Sequence, residues 1–248
     1  MKKRILMYKE YIKQKIKKEK FHPGIIGLFI NYNFLIRKSI RSAIKNNAHK
    51  LDGSLLDFGC GTKPYKKLFV NVKEYIGVDY KIEGREQNYN EVDEFYDGKK
   101  IPFESERFDS LLCTEVLEHV FNIDELLKEF NRVLKKNGKA LITTPFMWEE
   151  HEMPYDFARY TTPALKHLYQ KNGFKVVENF KTGNYIEVIF QFNLNYIKNI
   201  LPNNKNVRQV FLIPFIVFFN FFGVLFSLLL PIDTTAYFNN VFVLEKIE

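Results

Sequence analysis

Two carboxylates and two glycines stand at spacings that suit a nucleoside ligand. Asp57 is followed by Gly59 and Gly61, and Asp79 closes the next apolar run, Tyr75-Ile76-Gly77-Val78. Glycines after a first strand let backbone approach a ligand closely, and an acid at the tip of a second strand accepts hydrogen bonds from vicinal ribose hydroxyls. A dinucleotide fingerprint requires a third glycine, and that position is Pro64. Asp57 would repel a pyrophosphate beside the turn and would suit an ammonium group. The expected ligand carries a ribose, an ammonium and no phosphate, which describes S-adenosylmethionine.

A second set of residues could move a proton. His119 ends the run Glu115-Val116-Leu117-Glu118-His119. On a helix, positions 115 and 119 share a face, and that helix would start at the carboxyl end of a strand, where open α/β sheets bind ligands. Residues 148–160, from Trp148 to Tyr160, are too polar and aromatic for a plain connector. Trp148 and Tyr160 suit sugar rings or other flat partners, Arg159 an anion, and His151 and Asp156, with His119, a hydroxyl. The other reading of the stretch is an ordered lid with internal ion pairs. His119, His151 and Glu152 have no recognised metal spacing, so no metal is expected.

These residues need a scaffold of alternating strands and helices. Leu55–Phe58 and Tyr75–Val78 read as strands, with a short helix over Pro64–Val72 between them. Glu94–Tyr96 and Arg107–Thr114 follow as strands. Val116–Leu134 reads as a helix, ended by Lys135-Lys136-Asn137-Gly138 with cations in its last turn and glycine just beyond. Lys139–Thr143 is a fifth strand. Thr162 is the expected N-cap of another helix with Pro163 at its first position. Phe174–Phe180 and Tyr237–Lys246 complete the strands. Such alternation predicts an α/β fold with a mostly parallel sheet covered on both faces.

Read with its motifs, the chain resembles the class I S-adenosylmethionine-dependent methyltransferases, and within them the group known as methyltransferase type 11. The resemblance rests on LLDFGCGTKPY, YIGVDY, YDGKKIPFESERFDSLLCTEVLEHV and NRVLKKNGKALITTPF, and covers about residues 50–182 plus the last strand. It implies a Rossmann-like seven-stranded methyltransferase sheet whose last strand is antiparallel and lies between two others. It also implies that Gly59 and Gly61 line the methionine part of the cofactor, with Asp57 near its ammonium. Asp79, with Tyr80 beside it, takes the ribose. Asp97-Gly98 matches the place where an acid meets the adenine amine, and Thr114 and Glu115 lie at the edge between cofactor and acceptor. The look of the 151–161 segment is similar to that of bacterial methyltransferases acting on surface glycans, which favours a hydroxyl or glycan acceptor. Methyl transfer from a sulfonium is an in-line displacement, so the protein must align acceptor, methyl and sulfur.

Charge and hydropathy divide the chain further. Residues 1–20 hold nine Lys or Arg against two Glu, a net of +7, while the whole chain carries +8. The remaining body is close to neutral and is not a general nucleic-acid binder. Glu149, Glu150 and Glu152 add negative charge at the active edge, and Cys113-Thr114-Glu115-Val116 stands where base-amine methylating enzymes carry a proline-rich run. Ile5, Tyr8, Ile12 and Ile16 recur at helical spacing among the lysines, as in a basic amphipathic helix. Ile25–Ala43 reads as a further helix. The two cysteines make no disulfide framework and fit a reducing compartment, and no signal peptide is expected.

Val210–Ile232 is long and apolar enough to suggest a membrane span. Strands on either side should pair in one cytosolic sheet, which argues against a single crossing. Pro214, Asn220, Gly223 and Pro231 interrupt the run. A hairpin or helix broken near Asn220, dipping into one leaflet, is expected; the competing reading is a soluble subdomain or homodimer interface. The expected organisation is an N-terminal helical extension (1–47), a core (48–183), an apolar helical insertion (184–232) and the last core strand (233–248). The expected activity is bacterial-type methyl transfer to a hydroxyl of a glycan or lipid-linked acceptor. The enzyme would sit on the cytoplasmic membrane face, held through residues 1–20 and 209–232. A quinone or small-lipid methyltransferase and a non-catalytic cofactor-binding scaffold are the alternatives.

Overall fold

The computed structural model describes residues 15–16, 18–81, 89–202 and 204–247. It divides into two compact units, one from the residues up to Ser42 with Thr182–Phe238, the other from Ala43–Lys181 with Asn239 onward.

The second unit is built on a seven-stranded sheet. Its strands are β1 (Gly53–Phe58), β2 (Val72–Tyr80), β3 (Glu94–Tyr96), β4 (Phe108–Thr114), β5 (Leu134–Pro145), β6 (Phe174–Thr182) and β7 (Asn239–Lys246), in the order β3-β2-β1-β4-β5-β7-β6. The β1–β2, β1–β4, β2–β3 and β4–β5 pairs are parallel, and β7 runs antiparallel to β5, from Lys139 opposite Glu245 to Pro145 opposite Asn239. This is the expected methyltransferase sheet. The central strands are buried on both faces, as parallel strands covered on both sides must be. Leu55, Leu56, Leu111, Leu112, Leu141 and Ile142 are all fully buried. Helix α3 (Ile123–Val133) adds Ile123, Leu126, Leu127, Phe130 and Val133 to the core, one face at helical spacing.

Local departures from expectation have identifiable causes. Helix α3 ends at Val133, and Leu134 already pairs with Phe108 as the first residue of β5. Lys135–Gly138 is therefore a bulge in a strand rather than a helix end. Asn137 takes a φ of 62°, Lys135 Nζ reaches Asp109 at 2.6 Å, and a Cβ on Gly138 would lie 2.8 Å from the Lys135 carbonyl. The expected helix over Pro64–Val72 shrinks to a 3-10 turn at Lys66–Leu68. The helix α4 (Thr162–Lys171) is capped one residue early: Thr161 Oγ1 accepts from the Ala164 N–H, which frees Thr162 to donate to Asn240 Oδ1 at 2.7 Å.

The other unit is helical. Expected as one helix, residues 25–43 are broken between α1 (Ile25–Ile30) and α2 (Phe34–Asn47). Asn31 makes the break, its Oδ1 accepting from Asn33 N–H and its Nδ2 donating to the Glu19 carbonyl. Helix α5 (Tyr185–Ile200) is capped by Asn184, whose Oδ1 accepts from Glu187 N–H. Helix α6 (Lys205–Leu229) is continuous, with Pro214 inside it, so the expected break near Asn220 does not occur. Asn220 is fully buried and donates Nδ2 to the carbonyls of Leu28 and Asn31, answering orphan acceptors at the end of α1. Gly223 lets α6 pack closely, since a Cβ there would lie 2.9 Å from Leu35 and 3.1 Å from Phe190. Most of the basic amphipathic stretch proposed for residues 1–20 lies outside the described residues.

Candidate active site

The first cluster forms where β1 and β2 end. Gly59 has a φ of 73°, and a Cβ there would sit 2.2 Å from Val116 Cγ2, so both conformation and space demand glycine. Gly59 and Cys60 both donate N–H to the Val78 carbonyl. Gly61, φ 50°, is different: a Cβ there would meet no atom within 4 Å, so the space over this turn is open. Asp79 holds the turn in place, accepting the Gly61 N–H at 2.9 Å on Oδ2 and the Tyr80 N–H at 2.8 Å on Oδ1. Burial raises its pKa, against the pull of those two N–H groups. Asp57 is buried and accepts the Tyr75 hydroxyl at 2.7 Å. Desolvation pushes its carboxyl up to about 7, despite the Tyr75 hydrogen bond and the Lys63 charge.

Lys63 was not singled out from the sequence. It is buried, crosses β2 and pairs with Asp93, which also accepts the Gly77 N–H at 2.6 Å. A Cβ on Gly77 would fall 2.2 Å from Lys63 Cε. A glycine inside an apolar strand is the signal that could have found this close approach.

Asp97 and Gly98 shape their own turn. The exposed Asp97 Oδ1 accepts the N–H of Lys99 and Lys100, and Gly98 has a φ of 89°. Thr114 ends β4. Glu115, φ 55°, ties three strands: its N–H donates to the Thr143 carbonyl, Oε1 accepts from Thr143 Oγ1 at 2.7 Å and Oε2 from Asn239 Nδ2 at 2.7 Å. Its carboxylate is thus already engaged by the sheet.

The expected helix over residues 116–122 is absent. Glu115 is left-handed, only Leu117–His119 form a 3-10 turn, and α3 starts at Ile123, so Glu115 and His119 do not share a helix face. His119 instead meets the 148–160 segment. Its Nδ1 lies 2.6 Å from the Tyr155 carbonyl, and its ring packs edge-on against His151 with centroids 4.8 Å apart. Burial and the nearby His119 lower the His151 pKa.

Arg159 fastens this segment from within. It donates Nη1 to Asp156 Oδ1 at 2.6 Å and Nη2 to Oδ2 at 2.7 Å, and reaches the carbonyls of Trp148 and Glu149. Burial alone would raise Asp156, but the Arg159 hydrogen bonds and the His151 N–H outweigh it and hold the carboxyl at about 2. Asp156 therefore orients His151 and is too weak a base to take a proton itself, and Arg159 is committed to the loop rather than offered to an anion. Tyr160 packs against the core and gives its carbonyl to Asn240. The charge of Glu152 is felt at Asp79, so the segment lies near the first cluster. The acid that joins His119 and His151 is Glu118, buried beside them.

The methyltransferase-domain family matches residues 32–179, more than half of the chain. The chain belongs to this family. An uncharacterised protein of Methanocaldococcus jannaschii is 28% identical over 165 residues, 62% of this chain and 70% of its own. A ubiquinone biosynthesis O-methyltransferase of Pelagibacter ubique is 32% identical over 101 residues, 36% of this chain and 41% of its own length. The chain spans only about half or less of the curated relatives beyond the first. Among solved structures, the cyclase SpnF superposes with a TM-score of 0.57 at 15% identity, covering 85% of this chain and 82% of its own. Phosphoethanolamine N-methyltransferase 2 of Haemonchus contortus, in complex with S-adenosyl-L-methionine, does so with 0.51 at 16% identity, covering 93% and 59%. At such identities these likenesses show the fold. The family membership makes S-adenosyl-L-methionine the cofactor, and the open turn at Gly61 flanked by two carboxylates fits such a group.

Proposed function

We propose that this methyltransferase transfers a methyl group to a hydroxyl of a lipid-linked or glycan acceptor at the cytoplasmic membrane surface. The observation that carries the membrane reading is α6. Val210–Leu229 is long and apolar enough to cross a membrane, yet only 22% of its most apolar window is buried. Phe211, Phe218, Phe221, Leu228 and Leu229 are exposed. Phe190, Phe218, Phe222 and Phe226 line an open apolar groove of about 380 Å³. An exposed apolar surface of this kind marks an interaction site. The chain leaves β6 and returns to β7 in one sheet, so α6 would lie in the interface rather than cross. The net +7 of residues 1–20 supplies the second signal for anionic lipid.

In this reading Asp79 receives the ribose hydroxyls, the Gly59–Gly61 turn admits the methionine part and Asp57 faces its ammonium. S-adenosylmethionine supplies the activated methyl. The chain aligns the acceptor against it, and the His119–His151 pair, held by Tyr155 and Asp156, marks the edge where the hydroxyl loses its proton. The Pelagibacter ubique relative favours a second acceptor, the phenolic hydroxyl of a quinone precursor. Incubation with methyl-labelled S-adenosylmethionine and a lipid extract, resolved into glycolipid and quinone fractions, separates the two. Alkali-stable label in either fraction supports hydroxyl methylation and names the acceptor class. Label confined to a water-soluble amine would refute the proposal.

A further inference from the structure

Glu118, His119 and His151 bring ligand atoms within 4.8 Å of one another. Glu118 is fully buried, and neither of its carboxylate oxygens has a hydrogen-bond partner among the described residues. An ionised carboxylate in that state is costly unless a cation accompanies it. With Nδ1–H donating to the Tyr155 carbonyl at 2.6 Å, the neutral His119 ring carries its lone pair on Nε2, 3.6 Å from Glu118 Oε1. Around His151 Nδ1 lie Asp156 Oδ2 at 3.2 Å, the Glu149 carbonyl at 3.3 Å and Arg159 Nη2 at 3.3 Å. With Nδ1–H donating to the Glu149 carbonyl, the neutral His151 ring carries its lone pair on Nε2. Carbonyls and carboxylates holding the far nitrogen are the usual second layer behind metal-ligating histidines.

We propose that Glu118, His119 and His151 bind a first-row divalent cation of the zinc type. Two imidazoles and one carboxylate are a ligand set of catalytic zinc sites, which keep a fourth position open. Zinc–ligand bonds near 2.1 Å in a tetrahedron place ligand atoms about 3.4 Å apart. The 3.6 Å between His119 and Glu118 is close to that already, and small side-chain rotations close the remainder. Resting on the proposed function, the open position is where an acceptor hydroxyl would bind and pass its proton to water. The oxygen pair then forms the O–CH3 bond, and the C–S pair stays on sulfur as the sulfonium becomes a thioether. Cation binding itself does not depend on that reading.

The test uses the full chain, stripped with chelator and titrated with Zn2+ by calorimetry without cofactor. One equivalent should bind, and Glu118→Gln and His151→Ala should each weaken it at least tenfold. His151 is part-exposed, so His151→Ala retains the fold even if the buried variant does not. Both variants should bind S-adenosylmethionine as the parent does. Absence of zinc binding by the parent, or binding undiminished in His151→Ala, would overturn the site. Zinc binding without S-adenosylmethionine binding would uphold the site and remove the proposed function instead.

Discussion

Cofactor binding should expel a proton from Asp57. The carboxyl is buried, and desolvation pushes it up to about 7 in the free protein. An ammonium placed beside it favours the ionised form. At pH 6.5 about three quarters of the Asp57 side chains hold a proton that must leave on binding. Affinity for S-adenosylmethionine should therefore rise several-fold between pH 6 and about 7.5, a gain of on the order of 1 kcal/mol. It should fall again as the cofactor's own ammonium, an α-amino group with a pKa near 8, deprotonates. Calorimetry in two buffers of different ionisation enthalpy at pH 6.5 counts the proton directly. Asp57→Asn should bind more weakly and remove the acidic limb. Proton-neutral binding by the parent, or the same acidic limb in Asp57→Asn, would refute the reasoning.

The same carboxyl predicts the pH dependence of stability without cofactor. Its folded pKa lies above the unfolded value of 3.8, so its contribution is full below that value and is lost as pH rises through about 7. Between pH 5 and 7.5 the loss is on the order of 2 to 3 kcal/mol, read as a falling melting temperature that Asp57→Asn should flatten. Two glycine substitutions should separate folding from binding. Gly59→Ala forces a Cβ into Val116 and should destabilise by about 1 to 3 kcal/mol, whereas Gly61→Ala meets open space and should lose cofactor affinity with a smaller melting shift. Arg159→Ala strips the buried Asp156 carboxylate of its guanidinium partner and should cost about 3 to 5 kcal/mol in chemical denaturation, with much of that recovered in the Asp156→Asn double variant. Phe218→Ser with Phe221→Ser, or deletion of residues 1–20, should weaken sedimentation with anionic vesicles, the deletion in a salt-sensitive way.

What was legible in the sequence was short-range. Asp57, Gly59, Gly61 and Asp79 sit within 23 residues, and their roles follow from strand–turn–strand geometry that any such unit must adopt. The strands were legible because Leu55-Leu56, Leu111-Leu112 and Leu141-Ile142 are apolar runs buried on both faces. Long-range pairing was not legible. Lys63 and Asp93 are thirty positions apart, and only the crowded Gly77 hinted at them. Glu118 was passed over because it reads as an ordinary helix acid. Its meaning appears only when the left-handed Glu115 breaks the helix and turns residues 117–119 towards His151. Asn220 was mistaken for a helix breaker because nothing local shows that the carbonyls of Leu28 and Asn31 need a donor.

Equilibrium binding of S-adenosylmethionine to the parent and to Asp79→Ala tests most directly whether the β1–β2 cleft is the cofactor site. The account predicts one site in the parent, a melting shift of about 2.7 kcal/mol equivalent at a hundredfold excess over the dissociation constant, and loss of both in a folded Asp79→Ala variant. Undiminished binding in that variant, or a shift produced by NADH and not by S-adenosylmethionine, would contradict it.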